Sequence, residues 1–521
     1  MASPTKPSPR TSRLRRIAGP VLAVLAITCV QASPAGAAPR DGTGISVLRD
    51  QVVGIDPFGN STAPSPSQLC GVGTEVQFEG DTTLEPSIAV NPGNPSNAVV
   101  AYIQGYNKGS CGAAQNIGYA TTFDGGQTWK AGNFPIGPAA NGSWALTADP
   151  IVAFGPNNQV YVTFIPEFPN SAQPAGLGLI RSSDGGATWS DVLTVDPQTP
   201  LGLPSHDTPY LVVDNGTGAG HHPGRLYAMW TSGAVPVVLA PAASYSDDGG
   251  TTWQAASPLG VSPGTDVKGV VLSDGSLGIF YDTGSKPSAP GVPYVEKYFF
   301  IRANAPSLPG EPLVFGSPVE VAEALNNPDS QQHNKLDPAA VTVNPATGVI
   351  YAAWTDGRFR EDTVNDIVLS QSGDNGKTWS APVRVNKGSL RDFVNHFHPM
   401  ITITASGAVR VAYRQRRQSV ELEPPSGCPT VGTNVNVDTY VQQSRDGTAF
   451  AGPVQANSIQ TDIRFAAYKD TTYFLGDYSQ MASGGPYTYV ARAEAYSTVA
   501  GEPACWPPTE THQRIWVAVL N

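Results

Sequence analysis

Three observations predict an all-β fold: a short phrase ending in Thr-Trp that recurs along the chain, runs of alternating apolar residues between its copies, and 55 Gly with 48 Pro against only 14% charged residues. Repeats of this length that carry strands point to a β-propeller of four-stranded antiparallel blades. The phrase reads Thr122-Phe-Asp124-Gly-Gly126-Gln-Thr128-Trp129, Ser182-Ser-Asp184-Gly-Gly186-Ala-Thr188-Trp189, Ser246-Asp-Asp248-Gly-Gly250-Thr-Thr252-Trp253 and Ser372-Gly-Asp374-Asn-Gly376-Lys-Thr378-Trp379, with a degraded copy at Ser444-Arg-Asp446-Gly-Thr-Ala-Phe450. Successive aspartates lie 60, 64, 126 and 72 residues apart, and the doubled step is what one repeat without its phrase would leave.

Asp followed by Gly-Gly or Asn-Gly is hairpin chemistry, because glycine supplies positive φ and the carboxylate accepts turn amides. The preceding Ser or Thr closes the polar side of the turn, and Trp anchors the next strand in apolar surroundings. A repeated turn requires no chemistry, so the phrases are read as structural.

A second repeat precedes each phrase: an acidic residue, usually Pro, an alternating strand, a turn and another strand. Its copies start at Glu85-Pro86, Asp149-Pro150, Asp207-Thr-Pro209, Asp266, Asp337-Pro338, His398-Pro399 and Asp477. That count favours seven blades, with six the alternative if the last unit is an appendage. The last unit lacks a fourth strand, which an N-terminal strand at Ile45 to Ile55 or Glu75 to Glu79 would supply, closing the ring and removing sheet edges.

Residues 1–38 read as a secretory leader, with Arg10, Arg13, Arg15 and Arg16 ahead of an apolar run from Ile17 to Val30 and then Ala35-Gly36-Ala37. The run is too short to span a bilayer. The expected organisation is therefore leader 1–38, an N-terminal segment 39–84 and a propeller 85–521, in a secreted, extracellular protein without membrane insertion. Loss of the leader removes five basic and no acidic side chains, taking the net charge from −11 to −16 and arguing against nucleic acid as a partner. Cys70, Cys111, Cys428 and Cys505 would remain, an even number that suits two disulfides in an exported chain. Cys428 and Cys505 fall in long loops of neighbouring repeats and are the preferred pair; Cys70 with Cys111 follows by elimination.

Antiparallel order decides which loops share a face. With strands lettered A to D in each repeat, A starts, B ends and B-to-C loops lie together, and the Asp phrases lie opposite. The shared face gathers the acidic A starts, with Glu167, Asp282, Asp356, Arg358, Arg414, Arg416 and Arg492 from B ends. Carboxylates in such a mouth suit acid/base work or a hard cation, so calcium is a candidate ligand although no cofactor is required. The bland alternative is that an acid before proline is simply good turn chemistry. Glu85, Asp149 and Asp477 are the candidate catalytic carboxylates, and Tyr478 the candidate nucleophile or base. Arg358, Arg414 and Arg492, at B ends of consecutive repeats, would form an anion clamp, unless they pair with nearby carboxylates. The loop Glu361-Asp362 with Asp366 is a weaker calcium candidate, and His396 with His398 a metal pair lacking a third ligand.

The five phrases resemble the Asp-box, or BNR repeat, of the sialidase-like superfamily, over roughly residues 85 to 521. The resemblance implies a propeller and, for a sialidase, three arginines on the substrate carboxylate, a Tyr and Glu nucleophile pair and an Asp acid/base. Sialidases have six blades, and their first arginine belongs to an Arg-Ile-Pro phrase where this chain reads Leu84-Glu85-Pro86. The expectation is a monomeric secreted propeller acting on or binding glycans, of exo-α-sialidase type if catalytic. The alternative is a non-catalytic glycan- or protein-binding propeller, which the missing Arg-Ile-Pro favours.

Overall fold

Every repeat folds as an antiparallel meander whose strands run outward from a central axis, A innermost and D outermost. The computed structural model describes Met1 and residues 44–54, 56–58, 61–64, 75–106, 114–136, 146–167, 176–196, 205–234, 238–285, 288, 292–308, 310–327, 339–417, 436–469, 472–496 and 512–521. Cys70, Cys111, Cys428 and Cys505, residues 2–38 of the leader and Asp337 lie outside the described residues, as does the side chain of Glu167. Helix is confined, among those described, to one 3-10 turn at Ile463–Phe465.

Seven four-stranded units follow one another. Their A strands are Thr83–Val90, Leu146–Phe154, Ser205–Val213, Thr265–Val271, Ala340–Val343, Val394–Ile403 and Gln480–Gly484. Each A strand packs on the next, and the seventh packs on the first, so the ring closes around the axis. The closing strand is Val47–Val52, antiparallel to Gln513–Leu520 with Val47 opposite Leu520. Glu75–Phe78, the other candidate for that role, pairs instead with Ser61–Pro64 in a separate hairpin.

The core lies between blades. Val99, Ile117, Val162 and Phe164 from the first two blades form one cluster, and Phe280, Tyr298, Trp354 and Val368 from the fourth and fifth another. The facing sides of neighbouring sheets are therefore apolar, as sheets packed face to face require.

The Asp boxes hold this stack together. In the second blade Ser182 Oγ donates to Asp184 Oδ1 at 2.7 Å, Gly186 N donates to Ser182 Oγ at 2.9 Å, and Thr188 N and Oγ1 donate to the carboxylate at 2.9 and 2.6 Å. The same bonds recur around Asp124, Asp248 and Asp374. The Thr378 hydrogen bonds hold the Asp374 carboxyl down to about 2. Each box also reaches back to the preceding blade: Trp189 meets Phe134 edge-on at 4.7 Å, Trp379 meets Phe300 at 5.5 Å, and Asn97 Nδ2 donates to Gly185 O. Gly250, at φ 81°, is packed so closely that a Cβ would lie 2.2 Å from Leu179 Cδ2 and force that side chain to shift. The fourth blade lacks a box and reaches its D strand, Val319–Asn326, through residues 304–318.

Candidate functional site

Strand A is bulged where the sequence places its acidic residues. The ladder slips between Leu84 and Ser87, Ala148 and Ile151, Asp207 and Tyr210, Thr265 and Lys268, and Phe397 and Met400. Inside each slip one non-glycine residue takes positive φ: Glu85 at 55°, Asp149 at 53°, Thr208 at 48°, Asp266 at 50° and His398 at 49°. Such backbone costs of order 1–3 kcal/mol per residue and persists only where the surroundings enforce it. A bulge re-aims side chains, and here five blades use it at the same end of the axis. In the third blade the bulged residue is Thr208, so Asp207 sits one position upstream and is exposed.

Glu85, Asp149 and Asp477 come together at this mouth. Asp477 N donates to Glu85 Oε1 at 3.2 Å, and the Asp477 carboxylate pairs with Lys469 Nζ at 3.2 Å. Glu85 is only 3% exposed. Burial raises its carboxyl well above the ordinary value, and the charges of Asp149 and Asp477 push it further. Burial likewise lifts Asp149 to about 7, aided by Asp207 and Asp477 and opposed by Lys469 and by a hydrogen bond with Glu85. Carboxyl groups that raise one another in this way titrate together. Burial lowers Lys469, but Asp477, Glu85 and Asp149 more than offset it and hold the ammonium protonated.

An axial cavity of about 300 Å³ opens beside this cluster, walled by A strands, with Tyr210, Lys268, His398, Asp477 and Tyr478 along it. Lys268 Nζ lies over the rings of Tyr210 and Tyr478, at 5.0 and 5.9 Å from their centroids. Burial lowers His398 to about 3, and the Arg414 charge adds to the effect, so the imidazole is neutral.

Several expectations change. Tyr478 does sit beside the carboxylates, but its hydroxyl donates to Pro150 O at 3.2 Å. Burial first, then Glu85, Asp149 and Asp477, raise the phenol well above its ordinary value, which disfavours the phenolate a nucleophile needs. Tyr478 is therefore a wall of the site. The three arginines do not form an open clamp. Arg414 donates to Glu494 Oε2 at 2.8 Å and to Ala493 O and Thr461 Oγ1. Arg492 bonds Glu494 and, at 2.7 and 2.8 Å, both oxygens of Asp50. Both guanidiniums are fully buried. Arg358 donates to Asp356 Oδ2 at 2.6 Å and to Glu323 O.

The calcium loop is likewise filled by cations: Arg360 pairs with Asp362, Asp366 and Asp392, and Arg384 also reaches Asp366. No group of three or more His, Cys, Asp or Glu among the described residues is arranged to hold a metal ion. The bulge also parts the histidine pair, His396 facing Asn365 O and Asp366 while His398 faces the charges of Arg414 and Asp477. Sequence reasoning passed over Lys268 and Lys469. Lys268, two residues after an acidic A start, carried the one available signal.

No helix among the described residues is long and apolar enough to cross a membrane.

Comparison with known proteins gives three kinds of likeness. The BNR/Asp-box repeat model matches residues 244–255, the third box. A xyloglucanase from Paenibacillus sp is 27% identical over 215 residues, 39% of this chain and 19% of that protein's length. Among solved structures, the phage phi92 endosialidase has a TM-score of 0.46 at 10% identity, over 91% of this chain and 69% of its own. A protein of unknown function from Dyadobacter fermentans has a TM-score of 0.44 at 14% identity, over 92% of this chain and 99% of its own. The Trypanosoma rangeli sialidase has a TM-score of 0.38 at 11% identity, over 90% of this chain and 59% of its own. Four completed boxes and a fifth degraded one therefore sit on a closed ring of four-stranded sheets, a β-propeller whose third box matches the BNR/Asp-box repeat.

Proposed function

We propose that the protein hydrolyses glycosidic bonds of a neutral glycan at the axial mouth. The pair Glu85 and Asp149 supplies the acid, and Asp477 is the second carboxylate. The observation that carries this reading is the contrast between two adjacent environments: the buried Glu85 and half-buried Asp149 carboxyls pushed upward by desolvation, and a carboxylate salt-bridged to Lys469. Carboxyl groups whose environments differ in this way divide acid and base roles in glycosidases. The pair gives its proton to the leaving glycosidic oxygen as that bond breaks. Water adds to the anomeric carbon and passes a proton to Asp477.

Neutral sugars are favoured over sialosides because Arg414 and Arg492 are already bonded to Glu494 and Asp50, and the mouth is lined by carboxyl groups. The partial similarity to a xyloglucanase points the same way. Export from the cell, expected from residues 1–38, would bring the protein to extracellular polysaccharide.

The test is a panel of neutral polysaccharides and sialosides given to the mature protein, Glu85→Gln and Asp149→Asn. Release of neutral oligosaccharides, lost in both variants while binding survives, supports the proposal. Binding without turnover in wild type would make the propeller a glycan-binding module instead. Turnover confined to sialosides would overturn the neutral class.

A further inference from the structure

Lys268 is 8% exposed, and its ammonium lies over two aromatic rings on the wall of the axial cavity. A lysine head group carries three donors, and burying it without acceptors is costly. The faces of Tyr210 and Tyr478 stabilise the charge without replacing hydrogen bonds to oxygen acceptors. The side chain belongs to the wall of the axial cavity, so those donors have one open direction. The cavity's volume of about 300 Å³ falls at the lower bound of small-ligand sites, about 300 Å³.

The charge on Lys268 is not waiting for an anion. Asp266, Asp149, Asp282 and Asp477 all act on it electrostatically. A second anion brought into the cavity would meet those carboxyl groups as well as the ammonium. Hydroxyl and ring oxygens accept the same hydrogen bonds without that repulsion.

We infer that the axial cavity is a subsite for one neutral sugar residue, with Lys268 Nζ, seated over Tyr210 and Tyr478, donating to the sugar's hydroxyl or ring oxygens. This rests on the glycan reading above and adds to it a specificity-determining residue. Glu85, Asp149 and Asp477 would act on the bond at the mouth, while Lys268 holds the residue that enters the axis. Loss of Lys268 would then weaken binding and raise KM more than it lowers kcat.

The experiment pairs crystals soaked in glucose, xylose, galactose or glucuronate with titration calorimetry and kinetics on wild type, Lys268→Met and Lys268→Arg. Methionine keeps the stem's packing, and equal melting temperatures check that the variants fold. The expected result is a neutral sugar in the cavity with an oxygen on Nζ, about tenfold or greater loss of affinity in Lys268→Met, and partial recovery in Lys268→Arg. Glycan bound or cleaved at the mouth, with only water against Lys268 and no change in KM in Lys268→Met, overturns the subsite and leaves the glycosidase reading standing. Glucuronate held on Lys268 in preference to the neutral sugars overturns the neutral class. A wild type that neither binds nor cleaves any glycan overturns both.

Discussion

Asp50 accepts hydrogen bonds from Arg492 Nη2 through both carboxylate oxygens, at 2.7 and 2.8 Å, across 442 positions of sequence. The pair joins the closing strand to the B strand of the seventh blade, Tyr487–Ala495. Glu494 bonds the same guanidinium, and also that of Arg414 in the sixth blade, so one buried chain of charges spans the ring closure. The Ser458 backbone N–H and hydroxyl donate to Asp50 Oδ2 as well.

Asp50→Ala should therefore destabilise the propeller by about 3 kcal/mol, since removing one partner of a buried pair leaves the other uncompensated. Urea titration gives the magnitude. Hydrogen exchange should show protection falling first across Val47–Val52 and Gln513–Leu520. A loss below about 0.5 kcal/mol, the scale of an exposed pair, would mean that the closing strand is held by its ladder alone.

Gly250→Ala tests the boxes as staples between blades. The new Cβ would lie 2.2 Å from Leu179 Cδ2 in the preceding blade, on a residue with φ of 81°. Overpacking and the left-handed backbone together should cost about 2 kcal/mol or more. Activity per folded molecule should stay unchanged, because the box lies on the face opposite the carboxylate cluster. An unchanged melting temperature would show that the third box carries no share of the inter-blade packing.

The boxes were legible in sequence because their bonds are local: Thr188 reaches Asp184 only four positions away. The closing strand could be narrowed to two candidates, since an unpaired edge demands a partner but does not identify it. The partners of the arginines were not legible, for the opposite reason. Arg414 meets Glu494 80 positions later, a pairing that no local pattern announces. The axial lysine was hidden by the bulge at Asp266, which inserts one residue into strand A and breaks the alternation from which facing is read. An acidic residue before proline reads as turn chemistry, whereas Glu85-Pro86 and Asp149-Pro150 lie inside strand A, at bulges that re-aim the side chain.

The raised carboxyls set a pH dependence with a definite sign. Asp149 lies at about 7 in the fold against an ordinary value of 3.8, so the folded state holds a proton that the unfolded chain releases. Its contribution to stability is complete below about 4 and is lost as pH rises through about 7. Asp149→Asn should thus be more stable than wild type at pH 8, with the advantage vanishing near pH 4. Turnover should fall over the same rise, because the acid must be protonated to act. A rate that climbs steadily from pH 6 to pH 9 would exclude the Glu85 and Asp149 pair as the proton donor.

His396 provides the acid-side counterpart. Burial first lowers it to about 4, against an ordinary 6.5, although Asp366 and Asn365 O partly restore it. A depressed histidine contributes stability that is present above about 6.5 and is lost as pH falls through about 4. Proton NMR should find its imidazole neutral at pH 5.5, and His396→Gln should flatten the acid limb of the stability profile. Protonation near pH 6.5 would mean that the site admits water.

Lys469 links the two halves of the candidate site, pairing with Asp477 while lowering both Glu85 and Asp149. Replacing it by methionine removes the charge that opposes their upward shift, so the pH at which turnover falls should move to higher values. The Asp477 carboxylate loses its counter-ion at the same time, and kcat should fall about tenfold or more, in the range general acid–base groups contribute. The two effects separate an electrostatic role from a packing role. Lys469→Met with reduced kcat and an unmoved pH profile would assign Lys469 to holding Phe474, whose ring lies 4.4 Å beneath the ammonium, and not to the carboxylates.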